Sequence, residues 1–293
     1  MFSKFIALNP EVSIRINSNV IANYSKLKFS LFVIPFFLLI AIALFLYSQD
    51  AISVEGYIGV QKDLFYFINS NYAQFPQIIY NLTQIGDAMI FMSLLSIFIL
   101  YAPKLWESLL SASIVSALLS SVLKKLFLIP RPAAVFEPDT FIIIGNKLVG
   151  HSSLPSGHSI TFFTVLTVLL YAFMPKKISS KIIWHFFIIS IGLLLVFTRV
   201  GVGAHYPLDT INGAIIGYIS GLIGIFISRK YKIWEWVNQV KYYPVFIILL
   251  SVCAVVTLNK INDENLFIYY ITLLSLIISI IKISYVYIKD IKK

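Results

Sequence analysis

Long apolar runs dominate this chain and leave it few ways to fold. A helix that crosses a bilayer needs about 20 mainly apolar residues. Eight stretches approach that length: 29–47, 86–102, 107–128, 157–174, 182–198, 208–228, 243–259 and 266–286. Of the 293 residues, 59% are hydrophobic and 12% charged. A soluble domain carries about 25% charged residues, and one with this much apolar surface facing water would aggregate. The reading is therefore an all-α polytopic membrane protein. The first run is too long for a signal-peptide core and lacks a clear small-x-small cleavage site, so it counts as a span.

The +10 net charge of a soluble protein would suggest nucleic acid, but here it follows the spans. With the N-terminus cytoplasmic, the cytoplasmic segments take most of the Lys and Arg, among them Lys26, Lys28, Lys104, Lys176, Lys177, Arg229 and Lys230. The opposite side takes most of the acids, among them Asp50, Glu55, Asp63 and Asp87. That asymmetry implies N-in and C-in with eight spans. It makes membrane lipids, not nucleic acid, the partner of the charge. The one cysteine, Cys253, lies in an apolar run and has no intrachain partner. No His/Cys cluster suggests zinc.

Two segments on the outer side exceed simple turns. Residues 48–85 carry Leu64, Phe65, Phe67 and Ile68 at helical spacing and should form one or two helices lying in the interface. Residues 129–156 contain Pro130, Pro132, Pro138 and Pro155 and are either a mobile lid or an ordered cap.

Three polar clusters fall at span ends on this same side. The first is Lys124 with Arg131-Pro132 seven residues on; the second is Pro155-Ser156-Gly157-His158; the third is Arg199, His205 and Asp209. Alone, each has an ordinary explanation. Lys124 and Arg131 could mark a span boundary, Pro155-Ser156-Gly157 could be a turn and cap, and His205 could be a hydrogen-bonded interface residue. Arg199 resists such a reading, because a charge at mid-bilayer costs about 2.5–3.5 kcal/mol and is usually paired or functional. Together the clusters suit phosphate. Two guanidinium forks and an ammonium match its oxygens. Ser156 and Gly157 open a helix, where free N–H groups and the helix dipole favour an anion. His205 and Asp209, four apart, share a face, so the carboxylate can fix the imidazole tautomer and free the other nitrogen to attack. His158 is then a candidate general acid for the leaving alkoxide. No metal or other cofactor is needed. His185, inside the fifth span, reads as a packing residue, and His151 as a loop residue.

The pattern Lys-x6-Arg-Pro, Pro-Ser-Gly-His, then Ser-Arg-x5-His-x3-Asp is similar to the three-part signature of the type 2 phosphatidic acid phosphatase superfamily. Thr198 stands where that family usually has Ser, and keeps the hydroxyl. The resemblance implies a six-span catalytic core at 29–228. A cytoplasmic segment (1–28) precedes it, and two further spans with a basic tail follow (229–293). It also implies a phosphohistidine intermediate: His205 as nucleophile, Asp209 as its partner, His158 as acid, and Lys124, Arg131, Ser156, Gly157 and Arg199 as phosphate ligands. The spans point to the family's integral-membrane lipid phosphatase branch. The expectation is removal of phosphate from a lipid at the outer face of a bacterial plasma membrane. Candidate substrates are undecaprenyl pyrophosphate, phosphatidic acid, phosphatidylglycerol phosphate and lipid A. The rivals are phosphotransfer through the same intermediate, and a lipid transporter or binding protein without catalysis. The motifs do not choose the substrate or the oligomeric state.

Overall fold

The computed structural model describes residues 10–292, so residues 1–9 of the N-terminal segment and Lys293 of the tail lie outside it. Among the described residues the regular structure is entirely helical. The helices are α1 (Pro10–Tyr24), α2 (Val33–Ser48), α3 (Val54–Gly59), α4 (Lys62–Tyr72), α5 (Pro76–Gln84), α6 (Ala88–Leu94) and α7 (Phe98–Tyr101). They continue with α8 (Pro103–Phe127), α9 (Pro132–Val135), α10 (Gly157–Ala172), α11 (Ile178–Gly201), α12 (Pro207–Lys230), α13 (Tyr243–Glu264) and α14 (Phe267–Ile291). Among the described residues six helical stretches are long and apolar enough to cross a membrane: Phe29–Ser48, Pro103–Val135, Ile178–Gly201, Pro207–Lys230, Val240–Glu264 and Phe267–Ile291. The chain has the fold of a polytopic helical membrane protein.

Two of the expected spans take other forms. The fourth is the 16-residue α10, buried on nearly all sides. The second, 86–102, is broken into α6 and α7 by a turn at 95–97. A break in an apolar setting frees backbone carbonyls, which need partners. Ser275 Oγ of α14 donates to Ser93 O (3.1 Å) and Leu94 O (3.2 Å). The Trp106 indole donates to Leu95 O at 3.1 Å, and Ser96 Oγ donates to Ser279 Oγ at 2.7 Å. Helix α14 thus helps to complete the second span.

The centre of the molecule is α10 against α12. Gly213, Gly217 and Gly221 recur every four residues on α12 and let the backbones meet, as small-residue stripes do in membrane helices. A Cβ at Gly217 would lie 2.4 Å from Ile160 O, and one at Gly213 2.7 Å from Ser156 O. Gly224 makes the same close approach to Ala112 of α8. The stripe brings the N-termini of α10 and α12 together, and the Ser156 amide donates to Asp209 O at 3.0 Å.

Helix α1, unannounced by the sequence pattern, braces the other end of the bundle. Tyr24 Oη donates to Val168 O, Asn23 Nδ2 to Ala172 O, and Asn17 Oδ1 accepts from the Lys104 amide at the start of α8. At the site end, residues 48–85 form three short helices, α3 to α5, where one or two were expected. Segment 129–156 packs over them as a cap. Its Phe136 and Phe141 join Tyr57, Phe65 and Tyr206 in one apolar cluster. Asn69 ties the layers together, accepting from the Ile142 amide (2.8 Å) and donating to Ile142 O, Val200 O and Gly201 O.

Candidate active site

The ends of α8, α10, α11 and α12 converge beneath the cap, and each contributes residues from the three sequence clusters. Lys124 sits in the last turn of α8, whose C-cap Leu128 adopts a left-handed conformation (φ 49°). Its Nζ is 3.5 Å from where a Cβ at Gly157 would stand, so the ammonium lies against the bare N-terminus of α10. Ser156 caps that helix: its Oγ accepts from the Ser159 amide at 3.4 Å. The helix N-terminus and Lys124 therefore present positive charge to the same space.

Arg131 follows from the cap segment. Its Nη1 donates to Ala204 O at 3.2 Å and lies 3.4 Å from His205 Nε2. Arg199, in the last turn of α11, is 6% exposed. One guanidinium arm donates to Thr83 Oγ1 at 2.8 Å, while its Nε is buried with no hydrogen-bond partner. A buried orphaned donor is costly unless something accepts from it, and a phosphate oxygen is such an acceptor. Arg131, Arg199 and Lys124 all lie close enough to both His158 and His205 to interact with them electrostatically.

His205 lies in the tight connection between α11 and α12 and is 1% exposed. Burial first, and then the charges of Arg131, Arg199 and Lys124, hold its imidazole well below the ordinary histidine range. That shift favours the neutral imidazole. The i,i+4 relation to Asp209 is present, but the direct approach is 3.6 Å from Nδ1 to Oδ2, beyond a good hydrogen bond. Ser153 bridges the pair. Its Oγ donates to Asp209 Oδ2 at 2.6 Å and stands 3.4 Å from His205 Nδ1. Asp209 is otherwise saturated: Oδ1 accepts from Tyr57 Oη at 2.7 Å and Oδ2 from the Tyr206 amide at 3.0 Å, the capping box of α12. Burial and then Asp209 keep the Tyr57 phenol well above its ordinary range, so it remains a donor. With Nδ1 turned toward Ser153 and Asp209, Nε2 is the nitrogen that faces the cations.

His158 stands one residue into α10 and is covered by Gly86, where a Cβ would come within 2.7 Å of its own. Together with Gly86 it lines a groove of about 350 Å³ between α6, α8 and α10. Small and hydroxyl-bearing residues line this groove, including Ser113, Ser116, Ala117, Ser120 and Thr161.

The structure thus gathers Lys124, Arg131, Ser156, Gly157, His158, Arg199, His205 and Asp209 at one place. Ser153, Tyr57 and Thr83 also belong to it, and sequence reasoning missed them. Ser153 lies two residues before the Pro155-Ser156-Gly157-His158 cluster, which is the only signal it gives. The Thr198 hydroxyl donates back to Leu195 O within its own helix. His185 bonds Lys181 O within α11. His151 is exposed in the cap segment.

Residues 104–234 match the family described as the PAP2 superfamily. A protein of Bacillus licheniformis, "Bacitracin transport permease protein BcrC", is 30% identical over 114 residues, 36% of this chain and 52% of that one. A "Lipid A 4'-phosphatase" of Bacteroides thetaiotaomicron is 31% identical over 102 residues, 34% of this chain and 43% of that one. The chain thus spans about half the length of the curated relatives it matches. A crystal structure of Aquifex aeolicus LpxE aligns with a TM-score of 0.48 at 27% identity, covering 57% of this chain and 95% of that one.

Proposed function

We propose that this chain, a PAP2 superfamily member through residues 104–234, is a metal-independent lipid phosphatase acting through a phosphohistidine. The observation that carries the proposal is the convergence of Arg131, Arg199 and Lys124 on a buried histidine whose Nε2 is 3.4 Å from Arg131 Nη1 and whose Nδ1 is backed by Ser153 and Asp209.

In the first step His205 Nε2 attacks phosphorus, a P–N bond forms and the P–O bond to the lipid breaks. His158, which holds a proton once the anionic phosphate lies beside it, delivers that proton to the departing oxygen, so the lipid leaves as a neutral alcohol, or as a monophosphate when the substrate is a diphosphate. The imidazolium that forms at His205 is balanced by Asp209 through Ser153. Lys124, Arg131, Arg199 and the amides of Ser156 and Gly157 hold the charge on the phosphoryl oxygens. In the second step His158 takes a proton from water, which attacks phosphorus and releases inorganic phosphate from His205.

The charge pattern of the connections supports a site on the non-cytoplasmic side of a bacterial plasma membrane, with both termini inside. The substrate class is a lipid mono- or diphosphate: undecaprenyl pyrophosphate, phosphatidic acid, phosphatidylglycerol phosphate or lipid A. One relative's name is that of a lipid phosphatase and the other's is that of a permease, so a transport reading stands as the rival. It gives the intact pair of histidines and the Ser153–Asp209 support nothing to do. Phosphotransfer to a second lipid uses the same first step.

The test is phosphate release from these four lipids by detergent-purified protein in EDTA, with His205→Ala as control. Release from one of them, insensitive to EDTA and reduced about 10⁴-fold or more in the variant, is expected. Release that survives the substitution, or that stops with EDTA, refutes the histidine mechanism. Phosphate appearing on an added acceptor lipid in place of water identifies a transferase.

A further inference from the structure

The two C-terminal helices lie outside the family match, yet they grip one short segment of the site. Glu264, the last residue of α13, accepts from Tyr80 Oη at 2.8 Å and from Tyr269 Oη. Lys260 Nζ is 3.4 Å from Asp87 Oδ2. Asn81 Oδ1 accepts from the Ile268 amide at 3.0 Å, in the open first turn of α14. All three partners fall within residues 80–87. Between them lie Thr83, which accepts from the buried Arg199, and Gly86, which covers His158. Asp87 also caps α6, accepting from the Met89 amide at 2.9 Å.

Segment 80–87 therefore has one side on the site and the other on the C-terminal hairpin. Polar and charged contacts are scarce between membrane helices, and a hairpin that served only as an anchor would need none. Here three of them, two made by charged side chains of α13, fall on one stretch at the site's own end, apart from the serine contacts of α14 at residues 93–96. We infer that the α13–α14 hairpin is a positioning element of the active site: Glu264, through Tyr80, sets Thr83 and hence the guanidinium of Arg199 that meets phosphate. Tyr80, Thr83, Lys260 and Glu264 are positioning residues on this view. They touch no substrate and act through Arg199 and His158.

The inference rests on the proposal that the cation cluster binds phosphate. It is tested on the full chain in detergent by measuring the Kd for inorganic phosphate in Thr83→Val, Tyr80→Phe, Glu264→Ala and Glu264→Gln. A dissociation constant refers to the folded molecules alone, so mere loss of folded protein changes the number of sites and leaves Kd where it was. We expect Kd to rise about threefold to thirtyfold in Thr83→Val, Tyr80→Phe and Glu264→Ala, the range of couplings between contacting groups. Glu264→Gln, which keeps an acceptor, should recover part of the loss. Tyr80→Phe combined with Thr83→Val should be no weaker than the worse single variant. An unchanged Kd in Tyr80→Phe and Glu264→Ala, beside a wild type that binds phosphate, overturns the inference alone. So does a double variant whose losses multiply. A wild type that binds no phosphate overturns the proposed site and the inference with it.

Discussion

Ser153 Oγ stands between His205 Nδ1 and Asp209 Oδ2, 3.4 Å from the first and 2.6 Å from the second, while histidine and carboxylate are 3.6 Å apart. The carboxylate can therefore act on the imidazole through a hydroxyl that accepts from Nδ1–H while donating to Asp209, beside a contact from the Ser153 backbone. A relay of that kind calls for the tautomer with Nδ1 protonated and Nε2 free. Ser153→Ala should lower kcat about 10- to 100-fold with KM nearly unchanged, the scale of losing an outer hydrogen-bond partner. Asp209→Ala should lose more, because it also strips the acceptor of Tyr57 and of the Tyr206 amide. Steady-state kinetics on the preferred lipid check both. A Ser153→Ala enzyme with wild-type kcat would mean the direct His205–Asp209 contact closes on substrate binding.

The pH profile follows from the charges around His205. Its protonation is disfavoured by burial, Arg131, Arg199 and Lys124, so in the free enzyme the neutral nucleophile should persist below the ordinary histidine value of about 6.5. The His205 limb of kcat/KM should accordingly lie below pH 6.5. Replacing Arg131 with Met should move that limb upward, since removing a cation makes protonation easier. Stability has the matching sign. With the folded pKa depressed, the unfolded chain binds the extra proton first, so His205 costs no stability above about pH 6.5 and destabilises the fold as pH falls below it. His205→Gln should be less sensitive to acid between pH 6 and 5 in thermal unfolding. Equal acid sensitivity in the two proteins would count against the charge assignment.

Much of the site could be read before the fold was known, and the reason is chemical. Lys124, Arg131, Arg199, His158, His205 and Asp209 are ionisable groups at span ends, where an apolar background makes them conspicuous. Ser153, Tyr57 and Thr83 are single hydroxyls in segments where such residues are common, so nothing in their spacing marks them as partners of Asp209 or Arg199. The break in the second span was hidden because 86–102 is apolar throughout. What allows a break is supplied far along the chain, by Ser275 and Ser279 of α14. Helix α1 was missed because its apolar face is short and its polar anchors, Asn17 and Asn23, look like ordinary solvated residues. The glycines of α12 were visible at four-residue spacing, but only the facing helix shows that they set the distance between the two halves of the site.

Arg199 gives a prediction about replacement by another cation. Its guanidinium spends one arm on Thr83 and keeps a buried Nε without a partner. A lysine at this place supplies the charge but cannot serve both groups at once. Arg199→Lys should therefore bind inorganic phosphate more weakly and lower kcat/KM by about 10- to 100-fold, the range for losing a charge-assisted hydrogen bond. Competitive inhibition by phosphate, read as Ki, separates this from a folding defect. A Ki equal to the wild type's would show that Arg199 is a structural cation.

The glycine stripe of α12 makes a prediction about the scaffold. A Cβ at Gly217 would stand 2.4 Å from Ile160 O and 2.9 Å from Phe163 Cβ. Backbone cannot yield as a side-chain tip can, so α10 and α12 must separate by a fraction of an ångström or more. Overpacking of this kind costs about 1–3 kcal/mol. Because the N-termini of the same two helices carry Ser156 and Asp209, joined by the Ser156 amide at 3.0 Å, the separation should reach the site. Gly217→Ala should lower the midpoint of thermal unfolding and also reduce kcat in the protein that remains folded. Gly59→Ala, where a Cβ meets nothing within 4 Å, is the matched control and should change neither. If Gly217→Ala lowers stability but leaves kcat intact, the helix contact sustains the bundle without setting the geometry of the two helix termini at the proposed site.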